Sequence, residues 1–258
     1  MAPTAEAYKK SPARDTFESL VVTVILAIFG TTFVLQAFKI PSGSMETTLL
    51  IGDHLLVNRF AFASQEGWLR HVLPYRTIQR GDLFIFKFPG PSEDQQEPGE
   101  HLVKRVIGVP GDRIRIVTRQ VFVNGKALSE PYARHSLSVE SRPGDNFPFN
   151  EQVNPNSAAE MQWSEEIQNY VENGELVVPP DHYFAMGDNR EDSWDSRFWG
   201  FVPASLVSGR PMLIYWSYDT PPEEYLQNSI GDKISQLVDL VIHFPMKTRW
   251  KRAFRIVH

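Results

Sequence analysis

His101-Leu102-Val103-Lys104-Arg105-Val106-Ile107-Gly108-Val109 alternates in character as a β-strand does. A period of two places Leu102, Lys104 and Val106 on one face and Val103, Arg105 and Ile107 on the other. One lysine therefore shares an apolar face. Desolvation penalises its charged form and lowers its pKa, and a neutral amine at working pH can take a proton from a nucleophile. Lys104 is thus a candidate general base. The ordinary alternative is a stem that lies on apolar surface and carries its charge to water at the sheet edge.

The flanking sequence repeats the strand signal. His54 to Phe62 and Asp82 to Phe88 alternate, the second placing Phe84, Phe86 and Phe88 on one face, and Arg113 to Val123 leads into Asn124-Gly125, a hairpin signal. Leu176 to Val178, His182 to Met186 and Met212 to Ser217 are further strands, and helical patterning is scarce before residue 224. The fold class expected is mostly β, a catalytic body of coiled antiparallel sheets.

A base needs a nucleophile. Ile40-Pro41-Ser42-Gly43-Ser44-Met45 offers one: Pro41 fixes φ and Gly43 permits a tight backbone, so Ser44 can sit on a sharp exposed turn with its amide turned inward. Such a turn suits an oxyanion hole, although Pro-Ser-Gly turns more often hold serines that bond their own backbone. A third segment, Met186 to Pro203, mixes arginines with acids between tryptophans and reads as a loop locked by ion pairs. Calcium is excluded there by spacing, since counting from Asp188 the third position is Arg190 and the sixth is Ser193, where glycine is needed.

Composition narrows the rest. The 258 residues carry 26 basic and 31 acidic side chains, a net charge of −5, so a global nucleic-acid footprint is absent, and with no cysteine there are neither disulfides nor thiolate ligands. Seven histidines carry no local catalytic motif. Leu20 to Phe38 is uncharged and, as a helix of about 29 Å, matches a bilayer core of about 30 Å, so residues 17–39 are expected to be a transmembrane helix. Lys9, Lys10 and Arg14 precede it, which by the positive-inside tendency keeps residues 1–16 in the cytoplasm and exports the chain beyond Lys39.

Two excursions interrupt this order: the acidic, proline-containing Gly90 to Glu100, and an insertion at 129–175 rich in Asn, Ser, Pro and Glu, within which Ala158 to Val171 fits a short helix. Both read as solvated excursions without chemistry. In the C-terminal segment 226–258, Ile230, Ile234, Leu237, Val238 and Val241 fall near helical spacing before a run in which basic residues interleave with Trp250 and Phe254. An anionic membrane surface and a helix packed on the β-body with a frayed tail are both open readings. Trp199 and Phe201 are candidates to extend an interfacial patch.

Taken in order, Pro41-Ser42-Gly43-Ser44-Met45, Gly52-Asp53, Arg80-Gly81-Asp82, Lys104 through Asp112 and the Gly187-Asp188-Asn189-Arg190 box through Pro203 resemble the bacterial type I signal peptidase (leader peptidase) family. The resemblance covers roughly residues 38 to 128 and 175 to 217. It implies a membrane-bound serine endopeptidase domain at 40–225 that removes signal peptides from exported preproteins on the outer side of the cytoplasmic membrane. Ser44 is then the nucleophile and Lys104 the general base, the Ser42 hydroxyl and Ser44 amide form the oxyanion hole, and Ser193 orients the lysine. Asp195 and Arg197 become a structural pair beside Gly187, and a substrate wall of Phe38, Ile40, Met45, Leu49 and Val103 selects small residues one and three before the cut. Partners are preprotein signal peptides and the lipid bilayer, with no nucleic acid, and no metal or organic cofactor is implied. One departure is visible: many members carry proline two residues beyond the methionine, where this chain has Thr47. A self-cleaving Ser-Lys regulator and a non-catalytic, membrane-tethered β-domain are the rival classes; the retention of Ser42, Ser44, Lys104 and Ser193 speaks against the second.

Overall fold

The computed structural model describes residues 12–30, 35–62, 76–91, 99–135, 144–148, 155–219 and 230–257. In chain order these form α1 (Pro12–Phe29), β1 (Leu35–Lys39), β2 (Asp53–Asn58), β3 (Leu83–Lys87), β4 (His101–Gly108), β5 (Arg113–Val117), β6 (Gln120–Val123) and β7 (Lys126–Ala127). Next come α2 (Ala158–Glu166), β8 (Val171–Glu172), β9 (Glu175–Val177), β10 (His182–Met186), α3 (Ser196–Trp199), β11 (Val202–Pro203), β12 (Val207–Ser217), α4 (Ile230–Lys247) and β13 (Arg255–Ile256).

The larger sheet runs β1-β2-β12-β3-β4-β10-β11 with β13 added to β12, the smaller β7-β6-β5-β9-β8, and every strand pairing is antiparallel. β12 does most to curl the larger sheet: it pairs with β3 near its start and with β2 thereafter, and its register shifts at three places. Such bulges bend a strand and increase its twist. Gly209 permits a close approach to β2, because a β-carbon there would lie 2.6 Å from the Asn58 carbonyl oxygen. Alternation holds as read for β3 and β4: Phe84, Phe86, Phe88, Leu102 and Val106 join one buried cluster with Trp199, while Leu83 and Ile85 join another with Ile40, Met45 and Leu49.

Several expectations give way. Leu20 to Phe38 is not one helix: α1 ends at Phe29, and Leu35–Lys39 is a strand paired with β2 from Leu35 against Asn58 to Lys39 against His54. No described helix is long and apolar enough to cross a membrane. Hydropathy registers only that a run is apolar and not that β2 offers an edge with which Leu35–Lys39 can pair. The short N-terminus through Ser11, the tip of the 90–100 excursion and parts of the insertion lie outside the described residues. Arg113 to Val123 is two strands, broken where Thr118 and Arg119 take φ of 46° and 71°. Asp145 and Asn146 from the insertion stabilise that turn: Thr118 N donates to Asn146 Oδ1 at 2.9 Å and Arg119 N to the Asp145 carbonyl at 2.8 Å.

That contact shows that the insertion is no solvated excursion. Phe147, Trp163 and Ile167 lie in one buried cluster with Ile107, Ile114, Leu176 and Phe184. Trp199 and Phe201 are likewise buried, which removes them from any interfacial patch. The basic C-terminus is not frayed either, since β13 pairs with β12 and Val257 is buried against the cluster that contains Met45.

A Trp163→Ala chain is therefore expected to lose about 3 kcal/mol of stability, as for other large-to-small core truncations. Urea unfolding followed by fluorescence checks it. A loss within about 0.5 kcal/mol, normal for surface positions, would place the insertion outside the core.

Candidate active site

Lys104 occupies the face the alternation assigns it, opposite Phe84 in the β3–β4 register and 4% exposed. Its Nζ donates to Ser193 Oγ at 3.1 Å. Burial is the main cause of its lowered pKa, about 8 against an ordinary value near 10.4. Asp195 opposes that shift, Arg197 adds to it, and Asp192 and Asp188 oppose it more weakly. At pH 7 about a tenth of the molecules then carry a neutral amine.

Ser44 sits on a half-buried turn held from the 187–193 loop: Asn189 N donates to the Ser44 carbonyl at 3.1 Å and Asn189 Nδ2 to the Gly43 carbonyl at 3.1 Å. The Ser44 amide donates to no acceptor among the described residues. Gly187 is where the parts meet, since a β-carbon there would overlap both the Ser193 hydroxyl and the Ser44 carbonyl oxygen. The Ser44 hydroxyl itself makes no hydrogen bond to Lys104 in this structure. Ser42 is exposed beside it.

Beneath these groups lies a buried ionic frame. Arg197 grips Asp195 through two hydrogen bonds of 2.8 and 2.9 Å, and Asp195 also accepts from Gly187 N at 3.0 Å. Burial alone would raise the Asp195 pKa, but Arg197 and these bonds hold it below the usual carboxylate range. Arg105 donates to both oxygens of Asp188 at 2.8 and 2.7 Å and to the Gly81 carbonyl at 2.7 Å. Thr48 Oγ1 donates to the same Asp188 at 2.5 Å. Among the described residues no group of three or more His, Asp or Glu is placed to hold a metal.

A family model described as signal peptidase, peptidase S26, matches residues 13–216. The chain belongs to this family. It is accordingly a peptidase, and two curated relatives named signal peptidase I show how widely the S26 likeness extends. The protein of Pseudomonas fluorescens is 31% identical over 83% of this chain and 75% of its own length, and that of Aquifex aeolicus 30% identical over 82% and 88%. A solved signal peptidase I from Enterococcus faecalis is 28% identical and covers 52% of this chain and 97% of its own, with a TM-score of 0.37.

Of the expected substrate wall in this S26 chain, Ile40, Met45 and Leu49 are fully buried in one cluster, and Phe38 and Val103 pack against it while keeping some exposure. Sequence reading missed how much of the frame lies outside the motifs. Glu130 grips Arg190 with bonds of 3.1 and 2.5 Å, the Tyr132 ring lies 3.9 Å from the Arg105 guanidinium, and the Arg134 backbone bridges Asp188 and Arg190. The available signal was an acid and an aromatic just past the Asn124-Gly125 hairpin, facing a loop with an unassigned arginine.

Gly187→Ala is expected to lower kcat by about 100-fold or more through displacement of Ser193 or Ser44, the scale of a lost catalytic contact, while thermal unfolding still shows a folded chain. Near-parental kcat would separate Gly187 from the site. A second expectation concerns pH. Activity should rise with an apparent pKa near 8 as Lys104 loses its proton, and Asp192→Asn should move that midpoint down because the carboxylate favours the ammonium. Unfolded lysine keeps its proton to about 10.4, so the unfolded chain binds more protons between pH 8 and 10.4 and this group's contribution to stability rises with pH across that window. A pH-rate profile of kcat/KM for both proteins checks direction and midpoint.

Proposed function

We propose that the chain is a Ser-Lys endopeptidase that removes N-terminal signal peptides from exported preproteins. The observation that carries the reading is Lys104: buried, with a pKa near 8, hydrogen-bonded to Ser193 and next to the Gly187–Ser44 contact. Neutral Lys104 takes the Ser44 proton as the serine oxygen attacks the scissile carbonyl. The Ser44 amide and Ser42 hydroxyl receive the developing oxyanion. Lys104 then gives its proton to the leaving amine, an acyl-enzyme forms on Ser44, and the lysine amine activates the water that hydrolyses it. Ser193 accepts from Nζ and so fixes the direction of the lone pair.

Specificity in this reading follows from Phe38 and Val103, partly exposed and packed on the buried cluster of Ile40, Met45 and Leu49. Such a wall leaves shallow room for Ala or Gly at the residue before the cut and gives a charged side chain no partner. The relatives' name, signal peptidase I, supports the substrate class. Lipid association is part of the proposal: α1 exposes Phe17, Leu20, Ile25 and Leu26, apolar side chains for which a bilayer is the natural neighbour of an enzyme acting on membrane-delivered substrates.

Incubation with a preprotein, followed by mass spectrometry of the new N-terminus, tests this reading. The parent should cut after a small-x-small site, Ser44→Ala and Lys104→Ala should each abolish cleavage while remaining folded, and replacing the small residue before the cut with Leu or Lys should lower kcat/KM by about 100-fold or more, as for other steric and charge mismatches. A Lys104→Ala enzyme with near-parental turnover would remove the dyad, and equal rates on Ala, Leu and Lys would remove the pocket.

A further inference from the structure

The turn that carries Ser44 is braced differently at its two ends. Thr48 is held from the body: its hydroxyl donates to the buried Asp188, and its carbonyl accepts from Arg252 Nη2 at 3.0 Å. Between Met45 and Leu49 the chain reads Glu46-Thr47-Thr48, with no proline to restrict it. Glu46 supplies the restraint instead. Its amide closes the turn on the Gly43 carbonyl at 3.0 Å, and its carboxylate folds back over Gly43, where a β-carbon would meet Glu46 Oε1 at 3.3 Å. The second oxygen, Oε2, accepts from Arg134 Nη1 at 2.5 Å, a partner 88 positions along the chain.

Arg134 is itself anchored through its backbone. Its amide donates to the Asp188 carbonyl at 2.7 Å and its carbonyl accepts from Arg190 N at 3.0 Å, which sets it in parallel register beside Asn189. Glu130 grips the Arg190 guanidinium, and His135 Nδ1 lies 3.0 Å from Glu191 Oε1. Residues 130–135 thus form a short strap along the 188–191 loop, and the Arg134 side chain reaches from that strap to the nucleophile turn. Asn189 makes the neighbouring connection to the Gly43 and Ser44 carbonyls. Both links therefore start from one loop, the loop that leads to Ser193.

We propose that Arg134 is a positioning residue for Ser44, acting through Glu46. The ion pair holds the turn closed over Gly43 and so sets where the Ser44 hydroxyl stands relative to Lys104. The inference rests on Ser44 being the nucleophile, as read above. The Arg134 side chain is 52% exposed and that of Glu46 29%, so the pair adds little to stability, whereas an ångström of error at a nucleophile costs about 100-fold in rate. Position is what the pair controls.

Arg134→Gln and Glu46→Gln are compared with the parent on a short soluble small-x-small peptide. Each should lower kcat about tenfold and leave KM within about twofold, since the substrate wall is untouched. Arg134→Lys should recover most of the loss, and the double variant should be no slower than the worse single one, because the two side chains act as a unit. In the pH-rate profile the plateau should fall while the midpoint stays near 8, the pair not being among the groups that chiefly set the Lys104 pKa. Hydrogen exchange read by mass spectrometry needs no catalysis: in both variants a peptide spanning residues 43–49 should exchange about tenfold faster, as a locally loosened turn does, while β4 is unchanged. Parental kcat and parental exchange in Arg134→Gln would overturn the inference. So would additive losses in the double variant or a shifted midpoint, which would make Arg134 act through Lys104. A parent that cuts no peptide would strike the enzymatic reading instead, and the exchange measurement would still decide whether the pair holds the turn.

Discussion

Arg105 and Asp188 hold three separate parts of the chain with one buried ion pair. Arg105 comes from the centre of the larger sheet, Asp188 from the loop that carries Ser193, and Thr48 from the turn that carries Ser44, and the three side chains meet on two carboxylate oxygens. Both ions are almost fully shielded from water, so neither can lose its partner without leaving an uncompensated charge in the interior, a defect of about 3–5 kcal/mol. The pair thus couples Lys104, Ser193 and the Ser44 turn to the same rigid sheet. Tyr132 closes the open side of Arg105, which is how a segment beyond the smaller sheet becomes part of the frame.

Adjacent residues on one strand show two fates of a buried cation. Arg105 has a carboxylate of its own and serves as a fixed strut. Lys104 has none: the acids nearest it are shared, Asp195 being gripped by Arg197 at two points. Its ammonium is therefore the less well compensated of the two charges, and the strand resolves the difference by loosening the proton on Lys104. The charge balance around the lysine is set by Asp195, Arg197, Asp192 and Asp188.

Much of this was legible in the sequence where local pattern and local function coincide. The strands around Phe84, Lys104 and Asn124-Gly125 follow from alternation and turn chemistry, and the boxes carrying Ser44, Lys104 and Ser193 converge because they sit on adjoining strands and loops. What was hidden is non-local. The break at Thr118-Arg119 contains neither glycine nor asparagine and depends on Asp145 and Asn146 arriving from elsewhere. Composition alone made the insertion look soluble, yet Phe147 and Trp163 outweigh its polar residues once they find the second sheet. The uncharged run to Phe38 misled for the converse reason: hydropathy does not distinguish an apolar helix from an apolar helix followed by an apolar edge strand.

The Ser44 turn also has supports from much further along the sequence. Arg252 reaches the Thr48 carbonyl and the buried Asp53, and Arg249 reaches the Ile51 carbonyl, contacts that span about two hundred positions. During synthesis Ser44 leaves the ribosome about two hundred residues ahead of these arginines. The turn can acquire its full set of restraints only once Arg249 and Arg252 have emerged, so the order of synthesis itself delays the bracing of Ser44 until most of the body has been made.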